Sequence, residues 1–258
     1  MKLGCCISSA DQLPVLAAAG ADYCELPLAR MVMGVAEPEL EALRAALAET
    51  VPARACNVFL PPELRVVGPG VDARALEGYV TAALERAGRL GVAMLVFGSG
   101  RSRNVPEGFG RERAIEQLAA FLDATGARCE RAGVALALEP LGAAESNLIN
   151  SVGEGASFLA RWRPRGTRLL ADLYHMMEEQ EDLAVLESCA DLLVHAHVAD
   201  GGRRAPGHGG YPIAAFLQGL ARGGYRGDCS IECRWDDFQA EVGEAFAFLR
   251  EQAAGVPG

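Results

Sequence analysis

The sequence has no long hydrophobic run. Among its 258 residues there is no stretch of 18 consecutive apolar residues, so no segment has the length and apolarity of a transmembrane helix. The first residues, MKLGCCISSADQLP, also lack the hydrophobic centre of a secretory signal peptide. We therefore expect a cytoplasmic protein that has no membrane partner.

The sequence also lacks an excess of positive charge. Its formal net charge is −10, which would oppose binding to a nucleic-acid backbone or to an anionic membrane surface. Histidine is scarce as well, with four in total and none before residue 175. We expect no nucleic-acid partner.

Paired cysteines of the CxxC type are absent, although the chain contains eight cysteines. Most of the eight lie inside apolar, strand-like segments. Such cysteines are typical of buried, reduced thiols that pack as small hydrophobic residues. The cysteine pattern therefore predicts neither a disulfide framework nor a zinc site.

Strand-like apolar segments alternate with helix-like segments along the whole sequence, which contains eight such units. There is no interdomain linker and no close internal repeat. Alternation of this kind predicts an α/β fold with a parallel sheet, and the length suits a single (β/α)8 TIM barrel domain over residues 1–258. A doubly wound open sheet is the competing fold.

Four acidic or imidazole side chains each close a short apolar run. The runs VALALE, RLLAD, LLVHAH and CSIE end at Glu139, Asp172, His197 and Glu232. A lone acid after a strand is commonly a helix cap or a solvated loop residue. Four in consecutive units, about one strand–helix unit apart, are expected to meet at the mouth of a barrel, where the carboxyl ends of the strands converge.

Three carboxylates in one small space repel one another unless protons or a cation offset their charge. The four residues therefore predict a site for one divalent metal ion. Two glutamates, an aspartate and a histidine suit Mn²⁺, Mg²⁺ or Co²⁺ better than a closed structural zinc site. We expect Mn²⁺, with Mg²⁺, Co²⁺ or Zn²⁺ as alternatives.

Five stretches of the sequence form a recognisable set of motifs: LVFGSGRSRNVPEGF, LALEPLGAAESNLINSV, ADLYHMMEE, HAHVADGGRRAPG and SIECRW. Together they resemble the sugar phosphate isomerase/epimerase family, whose members have a xylose isomerase-like TIM barrel. The resemblance spans the whole chain and is strongest from about residue 92 onward. It implies a small-molecule sugar or keto-acid substrate and, by analogy, a homo-dimer or homo-tetramer.

The resemblance implies roles for individual residues. It makes Glu139, Asp172, His197 and Glu232 the metal ligands, and it makes the two glutamates the acid and the base as well. Three further residues match positions that contact the substrate in the family: His175, Arg203 and Glu145. One departure is that Gly142-Ala143-Ala144 replaces the Asn-Arg-Tyr that relatives often have, which changes the lining of the pocket.

This chemistry suits proton transfer beside a carbonyl group. Such a transfer requires a base, an acid and a cation next to the oxygen that becomes an enediolate. We therefore expect a metal-dependent sugar isomerase or epimerase, with a dehydratase or lyase on the same scaffold as the alternative. An endonuclease IV-like metal cluster would need more histidines than the chain has. A degenerate sugar-binding barrel would not need both glutamates.

Other polar residues allow two interpretations each. Glu25 on the second strand points either into the barrel or toward a neighbouring chain. His195 is expected to pack behind His197, and Asn57 either lines the pocket or packs in the barrel. The Arg101–Arg103 pair belongs either to a phosphate or sugar-acid site or to a solvated loop.

Overall fold

The computed structural model describes residues 1–255, and eight parallel strands in it close into a barrel with the strand order β1 to β8. The last strand pairs with the first, since Leu3 lies opposite Cys229. The sheet therefore has no open edge, which confirms the TIM barrel and excludes the doubly wound alternative. The strands are β1 Leu3–Cys6, β2 Tyr23–Pro27, β3 Ala53–Asn57, β4 Met94–Phe97, β5 Ala135–Leu138, β6 Thr167–Asp172, β7 Leu193–Val198 and β8 Asp228–Ile231.

Helices surround the barrel and connect consecutive strands. They are α1 Leu13–Ala18, α2 Glu37–Glu49, α3 Ala73–Arg89, α4 Gly100–Arg103, α5 Arg111–Arg131, α6 Val152–Trp162, α7 Leu173–Glu178, α8 Val185–Cys189, α9 Ile213–Arg222 and α10 Phe238–Ala254. Short 3-10 or π turns occupy Ala10–Gln12, Leu28–Val32, Ala190–Leu192 and Gly201–Arg203. The remaining three residues of the predicted 1–258 domain lie outside the described part.

Local sequence signals explain where the longer helices begin. The side chain of Asp72 accepts hydrogen bonds from the backbone N–H groups of Arg74 and Ala75 and so caps α3. Asp237 caps α10 in the same way. The polar loop after β4 contains a short helix, because four of its residues form α4.

Apolar side chains fill the space between the strands and the helices. The strands are buried along nearly their whole length, as is typical of parallel sheets covered on both faces. All eight cysteines are free and six of them are buried, in agreement with the prediction of unpaired thiols. No helix within residues 1–255 is both long enough and apolar enough to cross a membrane.

A glycine in α5 permits a close contact between that helix and the turn before β6. A methyl group on Gly126 would lie 1.9 Å from the carbonyl oxygen of Arg165. Because backbone atoms cannot move aside cheaply, we expect Gly126→Ala to lower the free energy of unfolding by about 1–3 kcal/mol. Gly78→Ala in α3 is the matched control, because a methyl group there contacts nothing within 4 Å. Chemical denaturation should show stabilisation of about 0.5–1 kcal/mol for this control.

Candidate active site

The four predicted ligands lie together at the mouth formed by the carboxyl ends of the strands. Glu139 and Glu232 directly follow β5 and β8, Asp172 is the last residue of β6, and His197 is the penultimate residue of β7. One oxygen or nitrogen atom from each of the four lies within 4.8 Å of those of the other three. Residues separated by up to 93 positions in the sequence thus form one compact cluster of polar atoms.

Direct contacts hold this cluster together. His197 Nδ1 lies 3.1 Å from Glu139 Oε1 and 3.5 Å from Glu232 Oε2. Two further donors reach Glu232: Asn57 Nδ2 donates to Oε1 at 2.7 Å, and Arg203 Nη2 donates to Oε2 at 2.8 Å. Asn57 therefore contacts the cluster directly and lines the pocket, which is the first of its two interpretations.

The two glutamates differ in their electrostatic surroundings. Burial raises the pKa of Glu139, and the nearby carboxylates of Glu232 and Asp172 act in the same direction. Burial would also raise the pKa of Glu232, but the positive charges of His197 and Arg203 outweigh it and lower that pKa. One carboxyl group is therefore biased toward holding a proton and the other toward remaining ionised.

The residues of the cluster fit a divalent metal ion. Asp172 Oδ1 accepts a hydrogen bond from the backbone N–H of Tyr174 at 2.7 Å, whereas the buried Oδ2 has no hydrogen-bond partner. A buried carboxylate oxygen without a partner is costly unless a cation or a water molecule binds it. Three carboxylates and one imidazole also form the hard, oxygen-rich donor set that Mn²⁺ and Mg²⁺ prefer.

His175 is buried beside the cluster, and its tautomer can be read from its neighbours. The backbone N–H of Gly142 donates to His175 Nδ1 at 3.0 Å. In the neutral imidazole the proton therefore lies on Nε2, which is buried without a hydrogen-bond partner and is 3.8 Å from Asp172 Oδ2. This arrangement leaves one N–H group free to donate to a ligand oxygen.

Arg203 and Glu145 form the outer rim of the site. The Arg203 guanidinium donates to Glu145 Oε1 at 2.5 Å while it also contacts Glu232, and it packs over the ring of Tyr174 at 4.9 Å. The Glu145 side chain is 43% exposed, so this carboxylate can still reach a ligand in solvent. A cavity of about 330 Å³ opens beside these residues, and Asn57, Arg101, Glu139 and Glu232 also line it.

The two arginines of the loop after β4 have different environments. Arg101 is exposed and lines the cavity, but Arg103 is fully buried. Arg103 donates to the carbonyl oxygen of Glu139 at 2.7 Å, and burial lowers its pKa to about 10. The interpretation of both arginines as a joint anion site or a solvated loop is wrong for Arg103. The short helix α4 turns this side chain inward, where it supports the backbone at Glu139.

Glu25 and His195 lie inside the barrel. Glu25 is fully buried and faces the two histidines of β7, which settles its direction. Glu25 is the middle residue of β2, so it lies deeper in the barrel than the predicted ligands, which are at or near the ends of their strands. A charged residue inside an otherwise apolar strand is the sequence signal that marks it.

The glycine directly after β4 leaves room for the Glu139 carboxylate. A methyl group on Gly98 would lie 2.2 Å from Glu139 Oε2. We expect Gly98→Ala to displace this flexible side chain and to lower turnover by about 10²-fold, with little loss of stability, because small displacements of a reacting group are costly. Gly110→Ala in the same loop is the control, since a methyl group there contacts nothing. Normal turnover in Gly98→Ala would argue against a role for Glu139 in the position described.

The architecture and the cluster agree with a comparison against known families. A family model described as the xylose isomerase-like TIM barrel matches residues 13–252. The chain belongs to this family. The resemblance read from the sequence motifs is therefore confirmed.

Individual members of the xylose isomerase-like family differ in how much of this chain they match. The 3-dehydro-D-guloside 4-epimerase of Escherichia coli (strain K12) is 30% identical over 141 residues, which are 54% of this chain and 50% of the relative. The chain thus spans about half the length of that epimerase. The putative hydroxypyruvate isomerase of Streptomyces coelicolor is 29% identical over 217 residues, 78% of this chain and 76% of the relative.

A solved structure extends the agreement over nearly the whole fold. The crystal structure of D-psicose 3-epimerase in the presence of D-fructose has a TM-score of 0.86 at 17% identity. It covers 99% of this chain, and this chain covers 100% of it. At this identity the likeness establishes the shared barrel architecture.

Proposed function

We propose that this protein is a divalent-metal-dependent isomerase or epimerase of a sugar or a sugar-like keto compound. The observation that carries the proposal is the cluster of Glu139, Asp172, His197 and Glu232 at the mouth of the barrel. It combines two glutamates, which can transfer protons, with a set of oxygen and nitrogen donors that could hold a metal ion. Epimerases and an isomerase of such compounds are among the relatives of the chain. We further propose these four residues as the ligands of one ion, with Mn²⁺ as the first candidate.

Glu139 and Glu232 have the chemistry of an acid–base pair. They enter the mouth from strands that are three positions apart in the barrel. One carboxylate would take the proton from the carbon beside a carbonyl group, and the electron pair of the broken C–H bond would move to the carbonyl oxygen. The other carboxyl group would return a proton. Return to the other face of the same carbon inverts a stereocentre, and delivery to the neighbouring carbon isomerises the substrate.

The remaining site residues would bind and orient the substrate. The Nε2–H of His175 can donate to a substrate oxygen, because its other ring nitrogen is already occupied by Gly142. Arg203 and Glu145 can bind hydroxyl groups at the rim. A bound divalent ion would supply positive charge next to the oxygen that becomes negative during proton transfer. A cavity of about 330 Å³ suits a small, polar substrate.

The proposal is tested by product analysis. The purified enzyme, with Mn²⁺ added, is incubated with a panel of ketoses, inososes and hydroxypyruvate. The products are then separated by chromatography, and their molecular masses are determined by mass spectrometry. We expect at least one substrate to give a product of unchanged mass in H₂O, and the same reaction in D₂O to place one deuterium at the reacting carbon. A product that has lost water would instead identify a dehydratase, and no conversion of any compound would contradict the proposed class.

A further inference from the structure

A hydrogen-bonded cluster lies in the barrel one layer below the candidate metal site. We call it the floor cluster, and it consists of Tyr23, Glu25, His195 and Ser230 from β2, β7 and β8. All four side chains are buried, and Glu25 and Ser230 are completely inaccessible to solvent. The reaction described above uses none of them.

The Glu25 carboxylate accepts the hydrogen bonds that connect the floor cluster. Its Oε2 atom accepts hydrogen bonds from Ser230 Oγ at 2.8 Å and from His195 Nε2 at 2.9 Å. Its Oε1 atom lies 3.1 Å from Nε2 of His197, one of the four candidate ligands. The Tyr23 hydroxyl lies 2.9 Å from Ser230 Oγ and can donate to it, so the serine proton remains directed at Glu25.

The contacts of His197 distinguish its two ring nitrogens. Nε2 faces Glu25, which lies outside the four-residue cluster, whereas Nδ1 faces two of the other candidate ligands, Glu139 at 3.1 Å and Glu232 at 3.5 Å. In the protonated ring each nitrogen can donate to its neighbouring carboxylate, but an ion held by the four residues requires the lone pair of Nδ1. The remaining proton is then on Nε2, where the Glu25 carboxylate can accept its hydrogen bond. A carboxylate behind a ligating histidine commonly fixes both the tautomer and the orientation of the ring.

We propose that Glu25 is a positioning residue that fixes the tautomer and ring orientation of His197, so that Nδ1 can bind the divalent ion. The inference rests on the proposed function, because it presupposes that the four-residue cluster holds an ion. It adds a residue to the metal site that lies outside the ligand set and outside the substrate cavity.

A competing interpretation makes Glu25 itself a ligand. Cys6, Glu25 and His197 also have donor atoms within 4.8 Å of one another and could hold a separate ion. Two observations argue against this. Both oxygens of Glu25 already accept hydrogen bonds, and burial, together with the nearby Glu25 carboxylate, raises the pKa of the Cys6 thiol well above its ordinary value. A protonated thiol is a poor metal ligand.

The test replaces Glu25 by glutamine. A glutamine has one acceptor and one donor group, so it cannot accept from two histidines and a serine. Where its NH₂ group meets Nε2 of His197, it favours the tautomer with the proton on Nδ1. We expect Glu25→Gln, stripped of metal and titrated with Mn²⁺ by calorimetry, to bind the ion about 10–100-fold more weakly than the wild type.

Two control variants separate positioning from general stability. Tyr23→Phe removes a hydroxyl group that is hydrogen-bonded to Ser230 and leaves the contacts of Glu25 with both histidines in place. It should therefore lower the melting temperature while Mn²⁺ affinity stays at the wild-type value. Cys6→Ser should change neither the affinity nor the stoichiometry of one ion per chain. A second ion that disappears in Cys6→Ser would overturn the inference in favour of the competing site.

An NMR measurement on the wild type does not depend on the folding of any variant. In the Mg²⁺-loaded protein, nitrogen-15 spectra of the histidine rings should show His197 protonated on Nε2. Protonation on Nδ1, or an unchanged Mn²⁺ affinity in folded Glu25→Gln, would overturn the inference. If the wild type itself binds no divalent ion, the proposed function fails. If the wild type binds the ion and Glu25→Gln binds it equally well, the proposed function stands and only the role of Glu25 is overturned.

Discussion

Replacing Glu139 or Glu232 by glutamine should lower turnover at least ~10²–10⁴-fold, the range typical of a positioned acid or base. Glutamine keeps the size of the side chain but can neither take up nor release the proton. The variants also lose one anionic ligand each, so their metal content must be measured in the same preparations. The rates are measured with the substrate identified by product analysis, at saturating Mn²⁺.

Glu244→Gln is the matched control for these variants. Glu244 is an exposed residue of α10, and its replacement removes the same charge far from the mouth. Turnover in this control should equal that of the wild type. Near-normal turnover in either Glu139→Gln or Glu232→Gln would rule out the mechanism in which both glutamates transfer protons.

Removing the metal ion should abolish turnover and destabilise the fold. Without an ion, three carboxylates share one buried space with a single histidine, and Asp172 Oδ2 lacks a partner. An ion that binds only the folded state stabilises it by about 2.7 kcal/mol at a concentration of 100 times its dissociation constant. Treatment with a chelator should therefore lower both activity and melting temperature, and added Mn²⁺ should restore both.

The same titration with Ca²⁺ serves as a control for nonspecific charge effects. Ca²⁺ prefers more oxygen ligands and longer distances than this compact cluster offers. It should therefore restore less activity than Mn²⁺ does. Full activity in protein that retains no ion would contradict the metal-dependent mechanism.

Much of the fold was predictable because it depends on local patterns. Alternating strand and helix signals gave the eight units, and Glu139, Asp172, His197 and Glu232 stand out because each closes a buried run. Parallel strands converge at their carboxyl ends, so the topology alone brings such residues to one mouth. Their predicted roles as ligands stay a prediction, as do the cytoplasmic location and the homo-oligomer.

The surroundings of the cluster were not predictable from the sequence. β2 is buried on both faces, so its pattern does not show that Glu25 points inward. The sequence suggests an exposed loop position for Arg103, but α4 directs its side chain inward to the carbonyl oxygen of Glu139. Asn57 reaches Glu232 across 175 positions of sequence. Each of these contacts depends on how side chains from distant strands pack, which no local pattern records.

The most direct test of the central claim is anomalous X-ray diffraction from crystals grown with Mn²⁺. We expect one strong anomalous peak per chain at the mouth of the barrel. It should lie about 2.0–2.3 Å from one oxygen each of Glu139, Asp172 and Glu232 and from Nδ1 of His197. A well-ordered mouth without a peak at saturating Mn²⁺, or a peak bound by other residues, would contradict the account.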